Sequence, residues 1–384
     1  MINSIRVIAQ QIFSLLDRCS LINPGKSSVF AKWLDAERRL ADITPFDKDS
    51  TALFNDWKRI YRPLDHIGYF KIKSAMIISK RDHDIVRRSK ERHAIVFSRN
   101  FRPVRIGRNY KYHYELLNFF RLSAKIIKSE NRVIALLGAY YSDAENYFHF
   151  WIDVVGDLIF LKKSLAPSEA VDCYVIPFGG ASWQKEILEM CGIEESKIIP
   201  LNSFDALNAS CLIVPIRNKG GRINHTWIGN SVREYIGWQQ SQISASRKIY
   251  ITRLDSSRRP LHKEDLIIEI LKEDGFEIIT CSGLTVKEQQ KIFSESSLVV
   301  APHGAALTNI IWMSPGTTLL EFIPVQHANP CFRDLAYQLD INYYNIPAFQ
   351  VNRDDDSIFA GIEIDIELLE KALNDIKNKK AQIS

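Results

Sequence analysis

Residues 297–324 read SLVVAPHGAALTNIIWMSPGTTLLEFIP, and the order of strand-formers and breakers in this stretch decides the fold class. Leu298-Val299-Val300-Ala301 is wholly apolar, as a strand buried on both faces of a parallel sheet must be. Pro302-His303-Gly304 interrupts it. Ala305 to Trp312 reads as a short helix, Ser314-Pro315-Gly316 ends that helix, and Thr317 to Ile323 is a second strand. A strand, a tight turn, a helix and a strand form the unit of doubly wound α/β domains. His303 and Gly304 stand where strand hands over to helix. Unpaired amides and the positive end of the helix dipole hold a phosphate well at such a corner. Gly304 lets backbone approach closely, His303 can donate to a phosphate oxygen, and Glu321 lies on the same sheet edge, where an acid accepts from ribose hydroxyls. The same spacing also suits a buried turn histidine and a surface acid.

Around this unit the pattern is regular. Lys248 to Thr252 reads as a strand, His262 to Glu273 as a helix, Phe276 to Thr280 as a strand and Val286 to Ser294 as a helix. Beyond Pro324 follow a helix near 330–339, a strand at 342–346, the acidic Asp354-Asp355-Asp356 and a closing amphipathic helix from about Ile366. The first strand ends in KIYITRLDSSRR, which sets Arg253, Arg258 and Arg259 on the edge that carries His303. Planar guanidinium forks bond phosphate oxygens in pairs.

Upstream, HAIVFSR, RVIALLGAY, AVDCYVIPF and SCLIVPI read as strands, HYELLNFFRLSAKIIKS as a helix and residues 1–75 as mainly helical. A helix over 142–163 is expected, with Ser142 and Glu145 at capping-box spacing. Phe148, Trp151, Ile152, Val155 and Ile159 form its apolar side, and Asn146, His149, Asp153 and Asp157 a polar stripe. His149 and Asp153 at i, i+4 can touch, a pairing useful for proton transfer near neutral pH. The wet side of any amphipathic helix offers the same spacing.

The 384 residues suffice for two α/β domains, and 46% hydrophobic with 25% charged residues match a globular protein. No apolar run reaches the roughly 18 to 20 residues that span a bilayer. The N-terminal amphipathic stretch lacks the features of a signal peptide and is expected to pack on the protein, with membrane-surface docking as the alternative. Six scattered cysteines without a CxxC pair fit reduced thiols in a cytoplasmic protein and no zinc site. The net charge is +5, and basic residues crowd between Lys80 and Lys111, which suits an acidic lipid or glycan partner or a solvated face. Asp82-His83-Asp84 has metal-ligand spacing, but no apolar strand leads into it.

In order, NYFHFWIDVVGDL, KIYITRLDSSRR, LTVKEQQKIF and VVAPHGAALTNIIWMSPGTTLLEF resemble glycosyltransferase family 61, over roughly residues 130–330. Its bacterial members are mostly labelled capsular polysaccharide biosynthesis proteins. The resemblance implies a GT-B-like α/β fold, two Rossmann-like domains facing across a cleft: residues 1–240 on the acceptor side, 245–350 holding the nucleotide sugar, and 351–384 a terminal loop and helix. It implies an inverting, metal-independent transferase without a cofactor, moving a sugar from a nucleotide donor, expected to be UDP-linked, to a hydroxyl of a surface polysaccharide (capsule or lipopolysaccharide) or its lipid-linked precursor. Carried over by motif, His303, Gly304, Ala305 and Asn309 line the donor, Arg253, Arg258 and Arg259 supply charge, Glu321 meets the ribose and Phe322 the nucleobase. Asn146, His149 and Asp153 face the acceptor, with Asp153 as base and His149 orienting it or taking the proton itself. Ala306 replaces the usual second glycine of the turn, and Gly156-Asp157 a common Pro-Arg. No GxGxxG or Walker loop points to dinucleotide or P-loop chemistry, and no nucleic-acid partner is expected. The competing readings are a nucleotide-sugar epimerase or hydrolase on the same fold, and a non-catalytic glycan- or lipid-binding component of an assembly complex at the inner membrane face.

Overall fold

The computed structural model describes residues 68–81, 92–97, 103–104, 127–138, 146–216, 227–239, 245–256, 258–352 and 359–383. The expected N-terminal helices, Asp82-His83-Asp84, Asp354 to Asp356 and most of the basic 80–111 region lie outside these residues. The chain divides into two compact units, whose described residues fall within Pro63–Gly221 and Arg222–Ser384.

The first unit contains β1 (Gly68–Arg81), β2 (Arg92–Phe97), β3 (Pro103–Val104), β4 (Ile127–Leu136), β5 (Cys173–Ile176), β6 (Ile198–Pro200) and β7 (Ala206–Ile216). Their order is β3-β2-β1-β7-β4-β5-β6. β7, β4, β5 and β6 run parallel, while β1, β2 and β3 extend the sheet antiparallel. The crossover from β4 to β5 is α1, in which Tyr147–His149 is α-helical, Phe150–Val155 π-helical and Gly156–Ser164 α-helical. α2 (Ser182–Met190) joins β5 to β6. Phe70, Ile72, Ile134, Val175, Leu207 and Leu212 share one core.

Two sequence readings fail here. Residues 68–75 belong to β1, not to a helix, and 127–129 open β4 rather than closing a helix. The alternation of β1 slips at Ser74, whose φ is +52: Phe70 and Ile72 face the core before it, Ala75 and Ile77 after it. The paired strand β7 slips in step, with Leu212 and Val214 inward on one side and Leu207 and Ala209 on the other. A strand whose phase changes midway shows no clean period of two.

The first described element of the second unit is α3 (Ile228–Tyr235). Then follow β8 (Arg247–Ile251), α4 (Glu264–Glu273), β9 (Glu277–Ile279), α5 (Val286–Ser294) and β10 (Ser296–Pro302). β11 (Thr318–Pro324), α6 (Cys331–Gln338), β12 (Asn342–Gln350), β13 (Ile362–Ile364) and α7 (Ile366–Ile383) complete it. Between β10 and β11, Ala305–Trp312 forms the expected short helix, which is of the 3-10 type. The sheet order is β13-β12-β11-β10-β8-β9, parallel except for β13. Counted from β8, the five parallel strands lie in the order 2-1-3-4-5, the doubly wound order of flavodoxin-like sheets.

Residue parity separates the two faces of this sheet. Leu298, Val300, Leu320 and Phe322 share one core with Ile267 and Leu271 of α4 and Leu369, Leu373 and Ile376 of α7. The terminal helix is therefore part of this unit's core. Glu321 alternates to the opposite face, where α3, α5, α6 and the 3-10 helix pack on one another. β10 and β11 are buried along both faces, as their apolar runs require.

Candidate functional site

In a 2-1-3-4-5 sheet the chain leaves its first and third strands toward opposite faces, which opens a crevice at their carboxyl ends. Here those strands are β8 and β10, and the residues just beyond them are Arg253 and His303-Gly304. Arg253 donates from Nη1 to the His303 carbonyl at 3.0 Å, and Arg259 Nη2 reaches the same carbonyl at 3.5 Å. Arg253 Nη2 donates to Ser256 Oγ at 3.0 Å and to the Arg258 carbonyl, which ties the loop together. The Nε atoms of Arg253 and Arg259 are buried without a hydrogen-bond partner. Burial, followed by repulsion from Arg253 and Arg258, pushes the Arg259 guanidinium down to about 10, and burial also lowers Arg253. Crowded, half-desolvated guanidiniums of this kind favour a bound anion, which offsets both costs at once.

Gly304 is extended at φ −174, so its value here is steric: a Cβ would run into Arg253 Nη1. Leu307 is the first amide to close back on the Gly304 carbonyl, so the Ala305 and Ala306 amides precede the ladder beside half-buried side chains. At the far end, Arg233 of α3 donates to the Ile311 and Met313 carbonyls and lies 5.0 Å from the Trp238 ring centroid. A cation at a helix carboxyl terminus completes the hydrogen bonding and complements the dipole. Nothing in the sequence pattern singles out Arg233.

Three expected donor contacts are relocated. Glu321 is 0% exposed; its Oε1 lies 2.6 Å from His303 Nδ1, and its Oε2 accepts from the Tyr343 hydroxyl at 2.7 Å. It holds the histidine and presents no oxygen to a ribose. Phe322 is fully buried against Tyr250, ring centroids 6.3 Å apart, on the opposite face from Glu321. It offers no surface to a base. Asn309, also fully buried, donates to Gln289 Oε1 of α5 at 2.7 Å and the Ala306 carbonyl at 3.1 Å, and accepts from Trp312 Nε1 at 3.1 Å. It locks the 3-10 helix onto α5. His303 itself is 5% exposed, with its ring 5.2 Å from that of Phe332. Burial, then the Arg259 and Arg253 charges, drive its pKa well down, while burial raises Glu321 to about 8.

The first unit carries the second cluster, on the helix that follows β4, the strand between β7 and β5. The described part of α1 begins at Tyr147 with Asn146 as its N-cap: Asn146 Oδ1 accepts from the His149 amide at 3.2 Å. Asn146 thus leaves the polar stripe, and Ser142 lies outside the described residues. His149 Nδ1 stands 2.8 Å from Asp153 Oδ2, with side-chain exposures of 22% and 12%. The π turn at Phe150–Val155, a feature frequent at functional sites, brings residues four apart nearly above one another. It also turns Asp157 inward. Asp157 is 0% exposed and accepts from the Gly138 amide at 2.9 Å, fastening α1 to the end of β4. Gly138, at φ +62, leaves no room for a Cβ, which would meet Val154 Cγ2 at 2.7 Å. Residues Phe150 to Leu161 are all buried, so α1 is a core helix and not the expected amphipathic one.

Among the described residues no group of three or more His, Cys, Asp or Glu is arranged to hold a metal ion, and no helix is long and apolar enough to cross a membrane. The five described cysteines form no disulfide.

Residues 147–320 match the family model Glycosyltransferase 61. A 61-residue segment is 31% identical to a Beta-1,2-xylosyltransferase of Arabidopsis thaliana, covering 16% of this chain and 11% of that protein. A 63-residue segment is 32% identical to Beta-1,2-xylosyltransferase RCN11 of Oryza sativa subsp. japonica, covering 16% and 12%. A third, of 70 residues, is 31% identical to Xylan glycosyltransferase MUCI21 of Arabidopsis thaliana, covering 17% and 14%. The matched segments thus span only a small part of those relatives.

Proposed function

We propose that this chain is a family 61 glycosyltransferase that moves a sugar from a nucleoside-diphosphate donor, UDP-linked in this reading, to a hydroxyl of a glycan acceptor with inversion. The observation that carries the reading is the convergence of Arg253, Arg259 and the glycine turn at the β8/β10 crevice. The family match supports the reaction class. An acceptor in a surface polysaccharide or its lipid-linked precursor is the finer part of the proposal.

The departing diphosphate gains negative charge as the glycosidic bond breaks. Arg253, Arg259, His303 and the first amides of the 3-10 helix stabilise that charge, and Arg258, exposed on the same loop, adds a further donor. No metal ion is required in this scheme. The acceptor oxygen attacks the anomeric carbon from the opposite side and loses its proton to the His149–Asp153 pair. His149 is the more exposed partner, so it takes the proton, while Asp153 fixes its tautomer and stabilises the imidazolium.

A thermal-shift screen of nucleotide sugars tests the donor half, because a ligand bound only by the folded state raises Tm. One UDP-sugar is expected to raise Tm in the wild type and much less in Arg253→Ala. Product analysis with and without acceptor separates transfer from hydrolysis or epimerisation. A screen with no stabilising nucleotide sugar, repeated with an acceptor glycan present, refutes the proposal.

A further inference from the structure

We propose that Glu321 and Tyr343 are positioning residues that hold His303 as a neutral hydrogen-bond donor at Nε2. In this arrangement Glu321, in its acid form, gives its Oε1 proton to a hydrogen bond with His303 Nδ1. The inference rests on the donor reading above and deepens it by assigning the chemical state of one group in the site.

For a protonated Glu321 the geometry fixes where each proton goes. The Tyr343 hydroxyl donates to Glu321 Oε2 at 2.7 Å. With that oxygen acting as acceptor, the carboxyl proton sits on Oε1, which faces Nδ1 at 2.6 Å. A neutral imidazole that accepts at Nδ1 carries its single hydrogen on Nε2. The two ring nitrogens point in nearly opposite directions, so Nε2 faces away from Glu321. The alternative is an ionised Glu321 with the hydrogen on Nδ1. That state leaves a lone pair on Nε2, which repels a phosphate oxygen.

The surroundings favour the acid form. Glu321, His303 and Tyr343 are 0%, 5% and 8% exposed, so a net negative pair has little water to solvate it. The charged and titratable groups around them are Arg253 and Arg259 from the loop after β8, and Cys331, Arg333 and Asp334 from α6. Arg333 bonds Asp334 at 2.7 Å, which spends much of its field on that partner, and burial keeps the Cys331 thiol protonated. Burial lifts Glu321 to about 8 against the pull of Tyr343, Arg259 and Arg333. A histidine that donates without carrying charge adds nothing to the repulsion between Arg253 and Arg259.

The test is 15N–1H correlation spectroscopy of the imidazole ring in 15N-labelled full-length protein, with His303 assigned by its loss in His303→Asn. At pH 7 the Nε2-protonated tautomer is expected, changing to Nδ1-protonated above about pH 8. In Glu321→Gln the side-chain amide donates to Nδ1 at every pH, so the Nε2–H form persists from pH 6.5 to 9. In Tyr343→Phe the change moves to higher pH, because a bond that stabilised the carboxylate is gone; this variant carries the test if Glu321→Gln does not fold. With inorganic pyrophosphate as probe, the ratio of wild-type Kd to that of Glu321→Gln at the same pH, which removes the probe's own ionisation, rises above about pH 8. An Nδ1-protonated wild type at pH 7, or an unchanged swap in Glu321→Gln, overturns the proposal. The expected tautomers without pyrophosphate binding support the assignment of His303 and strike the donor reading instead.

Discussion

Two histidines in this chain lean on a carboxylate through Nδ1, His149 on Asp153 at 2.8 Å and His303 on Glu321 at 2.6 Å. The contacts look alike, but their surroundings differ. His149 rides on a helix with 22% of its side chain exposed, its ring edge-on to Phe148. His303 is sealed beneath a turn, between an unexposed acid and two guanidiniums. Access to water lets a histidine exchange its proton with solvent and so cycle as a base. Burial beside cations denies it a charge and leaves it a fixed donor. In the proposed reading the two histidine–carboxylate pairs serve two chemistries because the dielectric around them differs.

The comparison breaks most visibly at the more exposed pair. His149→Ala is expected to lower kcat by about a hundred- to ten-thousandfold with Tm almost unchanged, measured by steady-state transfer assays. A Tm loss as large as the rate loss would make His149 structural. At the buried pair the neighbouring Arg253→Ala should lower kcat by about two to three powers of ten, and pyrophosphate should protect it less against heat. Gly304→Ala forces the new methyl into Arg253 Nη1, so calorimetry should show a loss of about 1–3 kcal/mol together with weaker donor binding.

The effect of pH on stability sharpens the contrast further. A folded Glu321 near 8 stands above its unfolded value, so the native state binds the extra proton and stability falls as pH rises from roughly 4.5 to 8. His303, depressed when folded, works in the opposite direction and loses stability as pH falls below roughly 6.5. The two slopes cancel below about 6.5 and leave a decline of at most about 2 kcal/mol between pH 6.5 and 8. Chemical denaturation across that window should show the decline in the wild type and its absence in Glu321→Gln. Smallest of all, Lys71→Ala removes a half-exposed ion pair with Glu169, far in sequence from both histidines. It should cost at most about 1 kcal/mol, and less in high salt.

The legible parts of this molecule are those in which local spacing and final geometry coincide. His149 and Asp153 touch as four-residue spacing on a helix predicts, and the strand–helix alternation from Lys248 onward gives the doubly wound sheet. Legibility ends where a residue's direction depends on something non-local. Glu321 lies in a strand buried on both faces, so no alternation of polarity marks which side it takes, and only its partners, His303 just beyond β10 and Tyr343 on β12, show that it turns inward. Asp157 fits a polar stripe at α-helical pitch, but one π turn rotates it to the β4 end. Asn309 carries a donor motif's identity and spends every hydrogen bond inside the protein. The strand β1 escapes detection because its phase slips at Ser74.

The clamp at the far end of the 3-10 helix also gives the site an optical handle. Trp312 is tethered to Asn309 through its indole nitrogen and lies 5.9 Å from Trp238, whose face covers Arg233. A guest that tugs on Gly304 pulls a short rod whose other end is this pair of indoles. Its arrival can therefore be followed in the near-ultraviolet, label-free, as the difference between wild-type emission and that of Trp312→Phe.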